Sequence, residues 1–244
     1  MIFIFLLFLL SLSGLSDSKT FINRVQKAHS HIYKTSFDLE ENPISDNGHW
    51  INGRRTGIDW SDVSSSKGLA IGHQKGDVHY TDATAILTGM WSSDQRASAT
   101  VFAGRTYESD YPEVELRLRS TLSPHYSSGY EIAFSTAGRT SKAYLLLVRW
   151  NGPVGDFTYL KELHGPQYGA GNGDVVKATI IGHTLTAYIN GKQMAQANDT
   201  IYSSGNPGIG INFDWIDHGV PVGTNEGYGF TNFTASDIIG KGDF

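Results

Sequence analysis

The residues best placed to do chemistry lie in YPEVELRLRS, residues 111–120, where Glu113, Glu115, Arg117 and Arg119 stand at every second position with Val114, Leu116 and Leu118 between them. Residues two apart share a face of a β-strand, so the run predicts a strand with one apolar face and one row of charges. Same-face neighbours sit about 7 Å apart along the backbone, and their carboxyls can approach the ~5 Å that a retaining glycosidase needs between its acid and its nucleophile. Arg117, Arg119, His125 or Tyr130 would then supply charge or proton transfer nearby. The same row is also what the wet side of a sheet looks like, with Glu and Arg neighbours supporting one another by a few tenths of a kcal/mol. The solvent-face reading is preferred, with a glycan-binding row and catalysis as its rivals.

A second set of candidates comes from aromatics in polar loops, since flat rings stack on sugar C–H faces while Asp, Asn, Arg or Tyr fix hydroxyls. Trp215 stands beside Asp214, Asp217 and His218; Trp60 stands beside Arg54, Arg55, Asp59 and Asp62; His125 and Tyr126 mark a strand connection. An exposed loop Trp has a functional explanation more often than a strand Trp, although a loop Trp can also cap one end of a core. By phase, Trp150 belongs to the core, and Trp50 and Trp91 are read the same way.

The elements that must position these residues are strands. The chain has 244 residues, a length that one all-β domain of about 200–250 residues accommodates. Its 28 glycines, 12% aromatics and only 18% charged residues favour strands and tight turns over helical bundles. RASATVFAG, EVELRLRS, YEIAFST, AYLLLVRW, VVKATIIG and TLTAYINGKQMAQA follow one another between Gly, Ser, Pro, Asn and Asp. Asn190-Gly191 is a strong hairpin signal. AYLLLVRW is apolar on both faces until Arg149, so it predicts a strand covered on each side and two stacked layers.

A net charge of −5 gives no basic patch for nucleic acid and no polybasic membrane anchor. With no cysteine there are no disulfides and no thiolate nucleophiles or ligands. No His-x-x-x-His helix supports zinc, and no Gly-x-Ser-x-Gly turn supports an activated serine. The opening MIFIFLLFLLSLSGLSDS is too short to span a bilayer, which takes about 20 apolar residues, and suits a signal-peptide core despite lacking an early Lys or Arg. The expected organisation is a signal peptide over 1–16, a polar leader over 17–35 and one domain over 36–244, secreted and not inserted in a membrane after cleavage. Asn198-Asp199-Thr200 and Asn232-Phe233-Thr234 are N-glycosylation sequons, which mark surface positions if the source is eukaryotic.

TLTAYINGKQMAQANDTIYSSGNPGIGIN, a strand, an NGK hairpin, a returning strand and a SGNPGIG run, resembles the concanavalin A-like lectin and glucanase superfamily, which includes laminin-G-like modules. FDLEENPISDNGHW with Trp50 and the closing GFTNFTASD resemble its first and last strands, which pair. The resemblance covers roughly residues 36–238 and implies a two-sheet antiparallel β-sandwich, a jelly roll. On function it is nearly silent, because the superfamily hosts lectins, hydrolases, lyases and adhesion modules. Laminarinase-like members carry Glu, Asp and Glu at alternating positions of one strand; here Glu115 holds the middle position and Arg117 replaces the last acid. Alginate-lyase jelly rolls carry Arg-x-Glu-Leu-Arg; Glu115-Leu116-Arg117 matches its end, Glu113 stands in place of its first Arg, and the companion strands are not found. Several relatives hold a structural calcium near the paired end strands, which implies Asp38 and Asp237 as ligands, with Asp214 and Asp217 a second pair.

The expected function is a secreted, non-catalytic, lectin-like module binding a glycan or polysaccharide. A glycoside hydrolase or polysaccharide lyase using Glu113 and Glu115 is the first alternative, and an extracellular adhesion or structural domain is the second. No cofactor is required, structural calcium aside. An enzyme predicts the two carboxylates in a cleft, with a Tyr or His in reach and a displaced pKa.

Overall fold

A computed structural model of the protein describes residues 31–53, 59–75, 80, 82–104, 111–214, 222–224 and 227–238. The expected signal peptide and most of the leader lie outside the described residues. In chain order the strands are β1 (Ile32–Thr35), β2 (Trp50–Asn52), β3 (Asp62–Ser66), β4 (Leu69–Lys75), β5 (Ala83–Leu87), β6 (Gln95–Ala103), β7 (Tyr111–Ser123) and β8 (Tyr126–Ser135). They continue as β9 (Tyr144–Gly152), β10 (Phe157–His164), β11 (Val175–Ile181), β12 (Thr184–Ile189), β13 (Lys192–Asn198), β14 (Asn206–Asp214), β15 (Val222–Thr224) and β16 (Tyr228–Asp237). One 3-10 turn, Pro166–Tyr168, is the only helical element among the described residues. None of their helices is long and apolar enough to cross a membrane.

The strands form two antiparallel sheets. One runs β13-β12-β11-β6-β16-β4-β15, with β1 on β16 and β3 on β4; the other runs β10-β9-β8-β7-β14-β5-β2. Alternation drives the stacking. Val114, Leu116, Leu118, Tyr130, Ile132, Phe134, Leu145, Leu147, Ile209 and Ile211 point inward from the seven-stranded sheet onto Ala97, Ala99, Val101, Val176, Ala178, Phe230 and Phe233 of the other. Small alanines on one layer against large side chains on the other let the sheets approach and interdigitate.

Asn190 and Gly191 close the β12–β13 hairpin, both with positive φ (50° and 78°), as a primed turn demands. The end strands do pair, but the partner of β16 is Ile32–Thr35, inside the segment read as leader, with Ile32 opposite Ser236 and Thr35 opposite Phe233. Trp50 sits in β2 on the other sheet, opposite Leu87. Among the described residues the sandwich therefore includes β1, which lies ahead of the expected boundary at residue 36.

Candidate functional site

The outer face of the seven-stranded sheet carries the site. On β7, Glu113, Glu115 and Arg117 point away from the inter-sheet core, as their alternation with Val114, Leu116 and Leu118 requires. Across the ladders Glu113 lies between Asn212 and Ser135, Glu115 between Gly210 and Ala133, and Arg117 between Gly208 and Glu131. The small neighbours are what give the charges room. A Cβ on Gly210 would fall 2.0 Å from Glu115 Oε2 and 3.0 Å from Arg117 Nε. Alternation in NPGIGIN thus does two jobs: Ile209 and Ile211 fill the core while the glycines leave the opposite face bare.

The solvent-face expectation is overturned here. Glu115 is 0% exposed and Arg117 1%, and Glu113 is also buried. The cover comes from β9, whose outer residues Tyr144, Leu146, Val148 and Trp150 form a second apolar cluster with Trp60 and Phe157. Trp150 is therefore buried, but on the outer face and not in the inter-sheet core. Trp60, expected at an exposed loop, is 1% exposed and packs edge-on against Trp150 with centroids 5.5 Å apart. Its burial removes it as a direct sugar contact.

Arg117 is the electrostatic hub. Its Nη2 lies 2.5 Å from Glu115 Oε2, 2.9 Å from Glu131 Oε2 and 3.6 Å from Asp82 Oδ2, and its guanidinium lies 5.9 Å from the Trp150 ring centre. Trp150 Nε1–H donates to Glu131 at 2.5 Å, and Asn212 Nδ2–H donates to Glu113 at 3.2 Å. Burial pushes the Glu113 carboxyl well above the usual carboxylate range, and Glu131 and Asp82 add to the shift. Burial does the same to Glu115, where Glu131, Asp82 and Glu113 outweigh the Arg117 guanidinium that pulls the other way. For Arg117 burial disfavours the charge, but Glu115, Glu131 and Asp82 outweigh it and raise its pKa. Burial also raises Tyr144, with Glu113 beside it as the next cause.

Asp82, Glu115 and Glu131 offer oxygens within 4.8 Å of one another, a spacing a cation could use. That position is already held by a cation, the Arg117 guanidinium. The donor set fits an internal ion cluster better than a metal.

A cavity of about 110 Å³ opens beside this cluster, lined by Tyr80, Asp82, Glu113, Glu131, Leu146, Val148, Trp150, Phe157, Tyr159 and Asn212. Tyr80 and Tyr159 are half-exposed, and the Tyr80, Trp150 and Tyr159 rings each pack on Phe157 with centroids 5.1–5.3 Å apart. Of the sequence candidates, Glu113 lines the cavity, while Glu115 and Arg117 lie behind it. Arg119 leaves the row, because the β7–β8 ladder is irregular between Leu118 and Thr121 and Arg119 takes a positive φ of 48°. Its side chain instead donates to the carbonyls of Ser93, Tyr202 and Gly182. Tyr130 faces the core side; burial first of all pushes its hydroxyl up to about 12, and it donates to Asp199.

His125 sits at the β7–β8 turn with a positive φ of 58°, exposed and paired with Asp59 at 2.9 Å, outside the cavity lining. Tyr126 follows it, its ring laid over Gly152, again outside the lining. Asp214 ends β14, and Trp215, Asp217 and His218 lie outside the described residues, as do Arg54 and Arg55. Asp38 accepts from Ser36 Oγ, whereas Asp237 accepts from the backbone amides of His31 and Ser92; among the described residues they do not join a common acid group. Sequence reasoning missed Asp82, Glu131, Asn212, Phe157 and Tyr159. Glu131 had a usable signal: it shares a face with Ala133 and Ser135 in YEIAFS, as Glu113 and Glu115 do in the paired strand.

No protein-family model matches the chain, and no curated protein sequence does. Solved structures do. The carbohydrate-binding module CBM66 from Bacillus subtilis superposes with a TM-score of 0.50 at 12% identity, covering 78% of this chain and 92% of that one. A structure from work on prominent members of the human gut microbiota that express endo-acting O-glycanases to initiate mucin breakdown gives 0.53 at 10% identity, covering 85% and 99%. The Emp47p carbohydrate recognition domain gives 0.50 at 11% identity, covering 84% and 97%. The fold is a concanavalin A-like jelly roll. At these identities the likeness concerns the fold; the jelly roll places a covered, acid-lined cavity on the outer face of one sheet, and the function must be argued from that cavity.

Proposed function

We propose that the protein is an extracellular glycan-binding module that seats its ligand at the cavity on the outer face of the seven-stranded sheet. The observation that carries this is the lining: Asp82, Glu113, Glu131 and Asn212 converge beside Tyr80, Trp150 and Tyr159 packed around Phe157. Rings that stack on sugar C–H faces, set next to groups that accept from hydroxyls, are what a sugar site requires. The jelly-roll neighbours named for carbohydrate binding support the reading at the level of fold, and the apolar opening segment supports secretion. A glycan-array screen of the chain, with Tyr159→Ala as the comparison, tests it. The wild type is expected to bind a defined glycan and the variant to lose that binding while keeping its fold. Silence of the wild type across the array, or full binding by Tyr159→Ala, contradicts the reading. Chelator in a parallel array tests the calcium expected from Asp38 and Asp237.

Hydrolysis of the bound glycan is a second reading, favoured by one observation. Glu113 keeps its proton above the usual carboxylate range while facing the cavity, and Glu131 in the same lining is held by Arg117 and Trp150. A proton-holding acid beside a fixed carboxylate is the arrangement glycoside hydrolysis uses. Release of reducing ends from the bound glycan, lost in Glu113→Gln, is the expected result on that reading. Binding without any release sinks it.

A further inference from the structure

The charge inside the cavity is one-sided. The lining offers three carboxylates from three different segments, Asp82 ahead of β5, Glu113 on β7 and Glu131 on β8, and among the described residues no Lys, Arg or His. Arg117, the cation of this face, stands behind the lining at 1% exposure, with Nη2 spent on Glu115 and Glu131. Glu113 is buried; its Oε1 accepts from Asn212, and the Tyr144 hydroxyl stands beside its carboxyl as a second side-chain partner. The Asn212 amide is already committed to Glu113, so the polar lining is built mostly of acceptors. The remaining wall is Leu146, Val148 and four aromatic rings, and ring faces attract cations by about 0.5–2 kcal/mol as the site loses water.

We infer that this cavity selects a glycan carrying a free, protonated amino group, a de-N-acetylated amino sugar, over neutral, N-acetylated and acidic sugars. The inference rests on the glycan-binding reading of the same cavity and names the ligand class. An ammonium supplies three donors to a set of acceptors and a charge opposite to theirs. An N-acetyl group would remove that charge and bring a carbonyl toward carboxylates. A uronate or sulfate would add a like charge beside Asp82, Glu113 and Glu131, which costs several kcal/mol at an interface.

Seating the ammonium also draws the proton from Glu113, so binding at a pH where that carboxyl holds its proton releases it to the buffer. Among the described residues the charged and titratable groups facing that event are Asp82, Glu115, Arg117, Glu131, Tyr144, Tyr80 and Tyr159.

Titration calorimetry of the full chain with short glucosamine oligomers, their N-acetylated counterparts, neutral glucan oligomers and uronate oligomers tests the inference. The glucosamine oligomers are expected to bind roughly tenfold tighter than the N-acetylated ones, a difference of about 1.4 kcal/mol. Their affinity should fall with added salt, and the apparent heat should change with the buffer's ionisation heat as protons are released. Glu113→Gln should remove the proton release and most of the preference, and Tyr159→Leu, at a half-exposed position, should weaken binding without altering the fold. Equal or tighter binding of an N-acetylated, neutral or acidic glycan overturns the inference and leaves the glycan-binding reading standing. Spermidine binding as tightly as the glucosamine oligomer overturns it in favour of a plain cation site. Failure of all glycans to bind overturns both.

Discussion

Replacing Arg117 with Met removes the one cation that the described residues place in a buried group of four carboxylates, and gives a large, pH-dependent loss of stability. The guanidinium contacts Glu115, Glu131 and Asp82 at 2.5, 2.9 and 3.6 Å. With charge centres taken as about 4 Å apart and an effective dielectric of about 20, each pair is worth about 4 kcal/mol. Against this, removal recovers the several kcal/mol spent in desolvating the guanidinium, and two of the acids can take up protons. The net cost is expected at about 3–5 kcal/mol near pH 8, as for other buried pairs broken on one side. For a chain of this length that is roughly 6–20 °C in Tm.

The sign with pH follows from the Glu115 carboxyl, whose pKa is already raised by burial and which Arg117 pulls down. Without Arg117 it rises further, so the folded variant holds more protons than the unfolded chain over a wider range and loses stability faster as pH rises. Urea unfolding of both proteins should therefore show a gap of only about 1–2 kcal/mol near pH 4, widening toward pH 8. A gap equal at the two pH values, or a variant as stable as wild type near pH 8, refutes the account of Arg117 as the cluster's neutralising centre.

Three further outcomes follow from the same face. In the wild type, Glu113 and Glu115 have raised folded pKa values, so their contribution to stability is fully present below the unfolded value of about 4.3 and lost as pH rises through the folded values; thermal scans should show Tm falling above about pH 4, and Glu113→Gln should flatten part of that slope, whose limit is about 1.4 kcal/mol per pH unit per group. Gly210→Ala places a methyl 2.0 Å from Glu115 Oε2 and should cost about 1–3 kcal/mol by chemical denaturation, with Gly191→Ala in the exposed hairpin as a strained-turn comparison. Trp150→Phe keeps a ring but deletes the Nε1–H given to Glu131; a loss of about 1.5–3 kcal/mol in stability is expected, since the acceptor is a carboxylate.

The sandwich was legible because strand alternation is a local property. EVELRLRS, YEIAFST and AYLLLVRW each carry their inward residues in the sequence, and Asn190-Gly191 announces its own turn. What local alternation does not carry is whether a polar face meets water or a lid. The Glu113–Glu115–Arg117 face is buried because Gly208 and Gly210, about ninety residues later, make room on one side, and because Trp150 and Trp60 close over the other. The one local clue was AYLLLVRW, apolar on both faces, which called for a cover on each side; pairing it in register with YEIAFS would have set Val148 beside Glu131. Arg119 could not be separated from the row by sequence, since nothing in LRSTLS signals a positive φ. Asp82 comes from a segment with no pattern linking it to β7, so only the fold brings it to Arg117.

On the glycan-binding reading the ligand sits over the cavity on the outer face of the seven-stranded sheet. Amide and methyl chemical-shift mapping during titration with a short glucosamine oligomer tests it most directly. Shifts should concentrate at Val148, Trp150, Phe157, Tyr159 and Asn212, and saturate with one affinity. Shifts gathered instead at the β7–β8 turn around His125 and Tyr126, with that face unchanged, would contradict the account.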